Sequence, residues 1–210
     1  MEQIYINAVE LEEKKFFSSA YEKFQQCLKL DIGERGEILF HCGWCVEMQF
    51  GNTSEEALVY YTEGADASLK IACRMNCYFR AGWIFMHLKN YSKAAENFFN
   101  SRVIGIENQQ INSIYSDATY WLAICLEAQN YYLDALKLYQ EVQSENASTA
   151  MECRWREICC LNQIGNYEQA LEQCNRFYSS SRSELDGDRF KELIELIEKE
   201  KEILNQLIII

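Results

Sequence analysis

Proline is absent from the 210 residues and glycine occurs only nine times. That removes Pro/Gly-rich linkers and collagen-like tracts, and leaves little sign of a β-sandwich with tight turns. Basic residues are also scarce, 20 Lys and Arg against 32 Asp and Glu, for a formal charge of −12. Phosphate backbones and anionic membranes need clustered cations, so nucleic acid and membrane surfaces are poor partners and basic proteins better ones. No apolar run nears the roughly 18 residues that span a bilayer, the longest candidate being Leu207-Ile208-Ile209-Ile210. The first residues lack a positive segment before an apolar core and carry Glu10, Glu12 and Glu13, so no secretory signal is expected and a cytoplasmic location is. Phosphate loops, dinucleotide fingerprints and HExxH are missing as well. Two histidines, His41 and His87, are too few for a catalytic network, so the chain is expected not to be an enzyme and to carry no cofactor.

What is present is periodic. Ala20, Ala57, Ala94, Ala135 and Ala170 are spaced by 37, 37, 41 and 35 residues, and four residues after each stands Phe24, Tyr61, Phe98, Tyr139 or Cys174. A period in this range marks stacked supersecondary units that cannot bury their apolar faces alone. Upstream of each alanine runs a second segment of helical apolar periodicity, which makes each unit a helix–turn–helix.

The third unit shows the pattern best: Tyr78-x2-Ala81-Gly82-x2-Phe85, then Tyr91-x2-Ala94-x3-Phe98. It resembles the tetratricopeptide signature W-x2-L-G-x2-Y…Y-x2-A-x3-F over both helices. The first unit repeats the spacing through Ile4, Ala8, Leu11, Phe17, Ala20 and Phe24, and the fourth through Leu122, Ala123, Leu126, Tyr132, Ala135 and Tyr139. The second matches through Gly43, Val46, Ala57 and Tyr61 after a longer turn, Gln49 to Ser54. The fifth is loosest, with Arg154 and Cys174 at signature aromatic positions. The resemblance covers residues 1 to about 184 and departs from the family in lacking its closing proline throughout. It implies an all-α, right-handed tetratricopeptide-like superhelix, an α-solenoid, of five units at about 1–35, 36–72, 73–108, 115–149 and 150–184. Residues 185–210 are expected to form a C-terminal capping helix, with Asp186 or Asp188 as its N-cap, and 104–116 an extended second helix or a surface loop.

In this family the first helices of successive units line a concave groove, and the resemblance thereby selects the residues to compare. One row is Tyr5, Phe40, Phe79, Tyr120 and Trp155, all aromatic. One helical turn later stand Val9, Trp44, Trp83, Ile124 and Cys159, and Trp121 adjoins the first row. Acidic positions border both: Glu2, Glu37, Asp117 and Glu152 before, Glu12, Glu47 and Glu127 after, with Arg80 and Arg156 as the only inner-face cations. The plainer reading is that the acids complement helix dipoles and some aromatics fill the core. The sharper one is a binding groove, formed by Tyr5, Phe40, Trp44, Phe79, Trp83, Tyr120, Trp121 and Trp155, for an apolar or aromatic peptide or helix that carries Lys or Arg. The function expected is thus a non-catalytic protein-interaction scaffold.

Two alternatives rest on the ten cysteines. Cys42-Gly43-Trp44-Cys45 has C-x-x-C spacing, but inside a helix, where no N-terminal dipole activates the first thiol for a thiol-redox enzyme. Cys42, Cys45, Cys73 and Cys77 with His41 have pairwise i,i+3 and i,i+4 spacing, yet nothing aims both pairs at one zinc ion. Reduced structural thiols, and no metal, are the expectation. The apolar face of the last helix is wide enough to suggest a homodimer through it.

Overall fold

A computed structural model describes residues 2–142, 147–180 and 188–208. Eleven α-helices make up their regular structure, and no strand occurs among them. In chain order these are α1 (Glu2–Glu13), α2 (Phe17–Leu30), α3 (Arg35–Phe50), α4 (Glu55–Ala67), α5 (Ile71–His87), α6 (Tyr91–Glu107), α7 (Ser113–Ala128), α8 (Tyr132–Glu141), α9 (Ala147–Gln163), α10 (Tyr167–Ser180) and α11 (Asp188–Ile208). They form two compact units, Met1–Ala118 and Thr119–Ile210, and α7 contains the boundary.

Local chemistry explains where the helices start and stop. Four of the intra-pair turns share one geometry: Lys15, Lys89, Asn130 and Gly165 have positive φ. The amide of the next residue then reaches back, Phe16 to Leu11, Asn90 to Phe85, Tyr131 to Leu126 and Asn166 to Leu161, each at 2.9 Å. This left-handed termination satisfies carbonyls that a helix end leaves open. The residue after it starts the next helix, since the carbonyls of Phe16, Asn90, Tyr131 and Asn166 accept from the repeat alanines Ala20, Ala94, Ala135 and Ala170. The second pair differs, as its longer turn predicts: α3 runs on to Phe50, and Ser54 caps α4 by accepting from the Ala57 amide at 3.3 Å. Residues 104–107 extend α6, 108–112 form the link, and 113–116 already belong to α7, so neither a fully extended helix nor a loop describes 104–116.

In the first unit each helix from α1 to α5 packs on the next, and α3 also touches α5. Ala20, Ala57 and Ala94 are fully buried, as are the aromatics one turn on, Phe24, Tyr61 and Phe98. Burying such a ring contributes about 1.5–3 kcal/mol. Small residues opposite make room for them. A Cβ on Gly43 would lie 2.9 Å from the Tyr61 ring, and one on Gly82 2.9 Å from the Phe98 ring. The two helices of a pair therefore meet at glycine because an aromatic ring fills the space a side chain would need.

In the second unit α8 packs on α9, α9 on α10, and α11 on both α9 and α10. Leu193, Ile197 and Leu204 of α11 join the core that contains Ile158, Leu161, Cys174 and Phe177. That last helix thus covers the apolar face of the fifth pair. Asp186 lies outside the described residues, as do 209–210.

Candidate functional site

All eight aromatic residues singled out in the sequence are half-buried; none is sealed in the core and none is fully exposed. In the first unit, Tyr5 packs edge-on against Phe24 with ring centres 6.1 Å apart, and Phe40 contacts Tyr61 at 5.8 Å. His41 joins them, edge-on to both Tyr5 and Phe40 and stacked on Phe24 at 4.9 Å. Phe79 leans on Phe98 at 5.5 Å, and Trp83 meets His87 at 4.9 Å. Trp44 carries the Arg80 guanidinium over its ring, 4.9 Å from the centre.

In the second unit Tyr120 contacts Trp121 at 5.1 Å and Tyr139 at 6.2 Å. Tyr120 and Trp155 both pack against the core of that unit. The plainer reading therefore holds in part. Tyr5, Phe40, Tyr120 and Trp155 contribute to hydrophobic cores while leaving part of each side chain accessible.

The acidic row behind these rings is not a free border. Glu47 is fully buried; its carboxylate accepts the Tyr61 hydroxyl at 2.7 Å and is gripped side-on by Arg80 through Nε at 3.1 Å and through Nη2. Glu127 repeats the arrangement, accepting the Tyr139 hydroxyl at 2.6 Å and Arg156 Nη1 at 3.0 Å. Arg156 also donates to Glu152 through Nε at 3.2 Å. Glu12 faces His41 Nδ1 at 2.9 and 3.1 Å, and accepts from the Cys45 thiol at 3.7 Å. For Glu12, Glu47 and Glu127 the acid sits on the first helix of one pair and the base on the first helix of the next, whereas Glu152 and Arg156 share α9. Asn162, in the corresponding position of the fifth pair, hydrogen-bonds Glu200 of α11.

The sequence places these acids at the groove edge, with Arg80 and Arg156 as inner-face cations. In the structure Glu12, Glu47 and Glu127 are engaged by neighbouring side chains, Arg80 and Arg156 among them. A signal was available: Glu and Tyr co-occur at 47/61 and 127/139, and an arginine follows at 80 and 156.

These networks set the local ionisation. Burial, then the charge of Glu47 and the hydrogen bond to it, pushes the Tyr61 phenol far above its usual range, and burial with the Glu127 hydrogen bond does the same to Tyr139. Tyr5 is raised to about 12 by burial and by Glu37 and Glu12. All three hydroxyls stay protonated donors at neutral pH. Burial likewise lifts the Cys42 thiol to about 12 and Cys45 further still, the opposite of what an activated thiolate requires. Cys73 is the exception among the thiols, drawn down by a hydrogen bond from Cys77. Among the described residues no group of three or more His, Cys, Asp or Glu side chains converges to hold a metal ion, and no helix is long and apolar enough to cross a membrane.

No protein-family model matches the sequence, and no curated protein does. Solved structures do resemble the fold. A tetratricopeptide repeat protein from Parabacteroides merdae superposes with a TM-score of 0.67 at 16% identity, covering 99% of this chain and 73% of that one. MamA gives 0.62 at 13% identity over 95% and 96% of the two chains. A putative kinesin light chain from Podospora anserina, with nearly identical TPR-like repeats, gives 0.59 at 12% over 87% and 97%. The chain thus has a helical-repeat fold of the tetratricopeptide type.

Proposed function

We propose that the protein is a non-catalytic interaction scaffold or adaptor whose first-helix faces bind a peptide or helix of another protein. The fold supports a protein partner in general terms, because stacked helix pairs expose long, repeated side-chain rows. One observation carries the reading: Tyr5, Phe40, Trp44, Phe79 and Trp83 in the first unit, and Tyr120, Trp121 and Trp155 in the second, are all left half-accessible. Rings placed only to fill a core would be sealed, and half-exposed aromatics supply area at low entropic cost. The proposed partner is apolar or aromatic and carries basic residues, which the net charge of −12 attracts at long range. The free thiols of all ten cysteines suit a reducing, cytoplasmic setting.

Photo-crosslinking from position 87, beside Trp83, identifies the partner, and the variant carrying Phe79→Ala and Trp83→Ala tests the face. Capture is expected to fall by about tenfold or more with the helical circular-dichroism signal retained. Undiminished capture by a folded double variant would move the site off the first-helix face.

A further inference from the structure

Trp44 has a cation already seated on it, the Arg80 guanidinium at 4.9 Å. That cation is held in place from behind. Glu47, with no exposed surface, binds Arg80 through two nitrogens and is itself fixed by the Tyr61 hydroxyl. A side-on carboxylate clamp of this kind pre-orders the guanidinium plane. The neighbouring carboxylates are engaged too, Glu12 by His41 and Cys45, Glu37 by Lys70 at 2.7 Å. A Lys or Arg arriving at Trp44 would therefore find the cation place over the ring already filled, and Glu12, Glu37 and Glu47 already engaged. In the fourth pair Ile124 stands at the position equivalent to Trp44.

We infer that Arg80 is a specificity-determining residue: it occupies the cation place over Trp44, so the first unit accepts an uncharged aromatic or aliphatic side chain there and turns away Lys and Arg. The inference rests on the reading of the first-helix face as the binding face, and it puts the partner's basic residues beside the anchor rather than in it. Arg80 acts here on what Trp44 can contact, as a built-in substitute for a ligand cation.

The test uses phage-displayed random peptides panned on the full chain, followed by titration of synthetic versions. Selected peptides are expected to share a Phe, Trp, Leu or Met anchor. Replacing that anchor by Lys should weaken binding to the native chain by about tenfold, since the ammonium would lose water and find neither the ring's cation place nor one of these carboxylates open. In the variant carrying Glu47→Gln and Arg80→Met, the Lys peptide should come within about twofold of its parent, because the resident cation is gone. If the Lys peptide binds the native chain as well as its parent, while Trp44→Ala abolishes both, the inference falls and the binding face stands. If the selected peptides bind the variant carrying Trp44→Ala and Trp83→Ala undiminished, the face itself is wrong and the inference goes with it. A Lys peptide that stays about tenfold weaker than its parent on the folded Glu47→Gln, Arg80→Met variant would also overturn the inference, since the loss would then owe nothing to Arg80.

Discussion

A fully buried carboxylate is tolerable only when something neutralises it, and Glu47 shows how narrow that tolerance is. Its two partners come from different helices, Tyr61 from the second helix of its own pair and Arg80 from the first helix of the next. Replacing Arg80 with Met leaves the charge stranded, and urea unfolding should report a loss of about 3–5 kcal/mol. Adding Glu47→Leu removes the stranded charge, so the double variant should regain much of the loss. A double variant no more stable than the single would mean that the carboxylate finds water when Arg80 is gone. The pattern Glu–Tyr–Arg is written in the sequence at 47, 61 and 80 and again at 127, 139 and 156. It escaped a reading made repeat by repeat, because the arginine that completes each set belongs to the following unit. Burial chemistry explains the cysteines in the same way. Cys42 and Cys45 have redox-motif spacing, but a helix interior raises their thiols instead of activating them.

Between elements, the tightest device in the first unit is Glu34. Its carboxylate caps α3 through the Glu37 amide at 2.6 Å and reaches across to the Leu69 amide at 3.1 Å and the Ser68 hydroxyl at 3.3 Å. One side chain thereby ties the start of α3 to the link between α4 and α5. Burial works to raise its pKa, but the amides of Glu37, Leu69 and Gly36 and the Ser68 hydroxyl outweigh it and hold the carboxyl below its ordinary value. A folded-state pKa lowered in this way gives stability that is complete above the unfolded-state pKa and is lost as pH falls through the lowered one. Glu34→Gln should therefore cost about 1 kcal/mol at neutral pH and flatten the acid side of a stability-versus-pH curve. An unchanged acid limb would show that other carboxylates carry the acid response. The turns are of a different kind: they depend on one left-handed residue each, and Lys15, Lys89 and Asn130 adopt it without glycine. Their spacing, and the helix pairs with it, was legible because apolar periodicity and the alanine–aromatic interval are local signals. The contacts of Glu34 with Ser68 and Leu69 were not, since nothing in a period of about 37 residues marks a cap that also serves a linker two helices away.

For the whole molecule, the open matter is what the apolar surface left on α11 does. Leu193, Ile197 and Leu204 are spent on the core of the second unit, whereas Leu196, Ile203 and Leu207 remain 39%, 48% and 37% exposed. Their spacing of seven and four residues puts them on one stripe of the helix, offset from the buried one. The sequence showed a single broad apolar face here and could not divide it, because helical periodicity gives direction around an axis and not which arc a neighbour covers. The exposed stripe is what an isologous dimer would use, since one patch then serves twice. Removing residues 203 to 210 would be a poor test, as it takes away the buried Leu204 along with the stripe. Leu196→Glu together with Ile203→Glu spares the core residues, so the melting temperature of the monomer should shift little. If copies pair through α11, sedimentation equilibrium should show a dimer fraction in the native chain that rises with concentration and disappears in this variant. A dimer that persists with both glutamates present would place self-association elsewhere, and a native chain that stays monomeric at all concentrations would leave the stripe with no role in self-association.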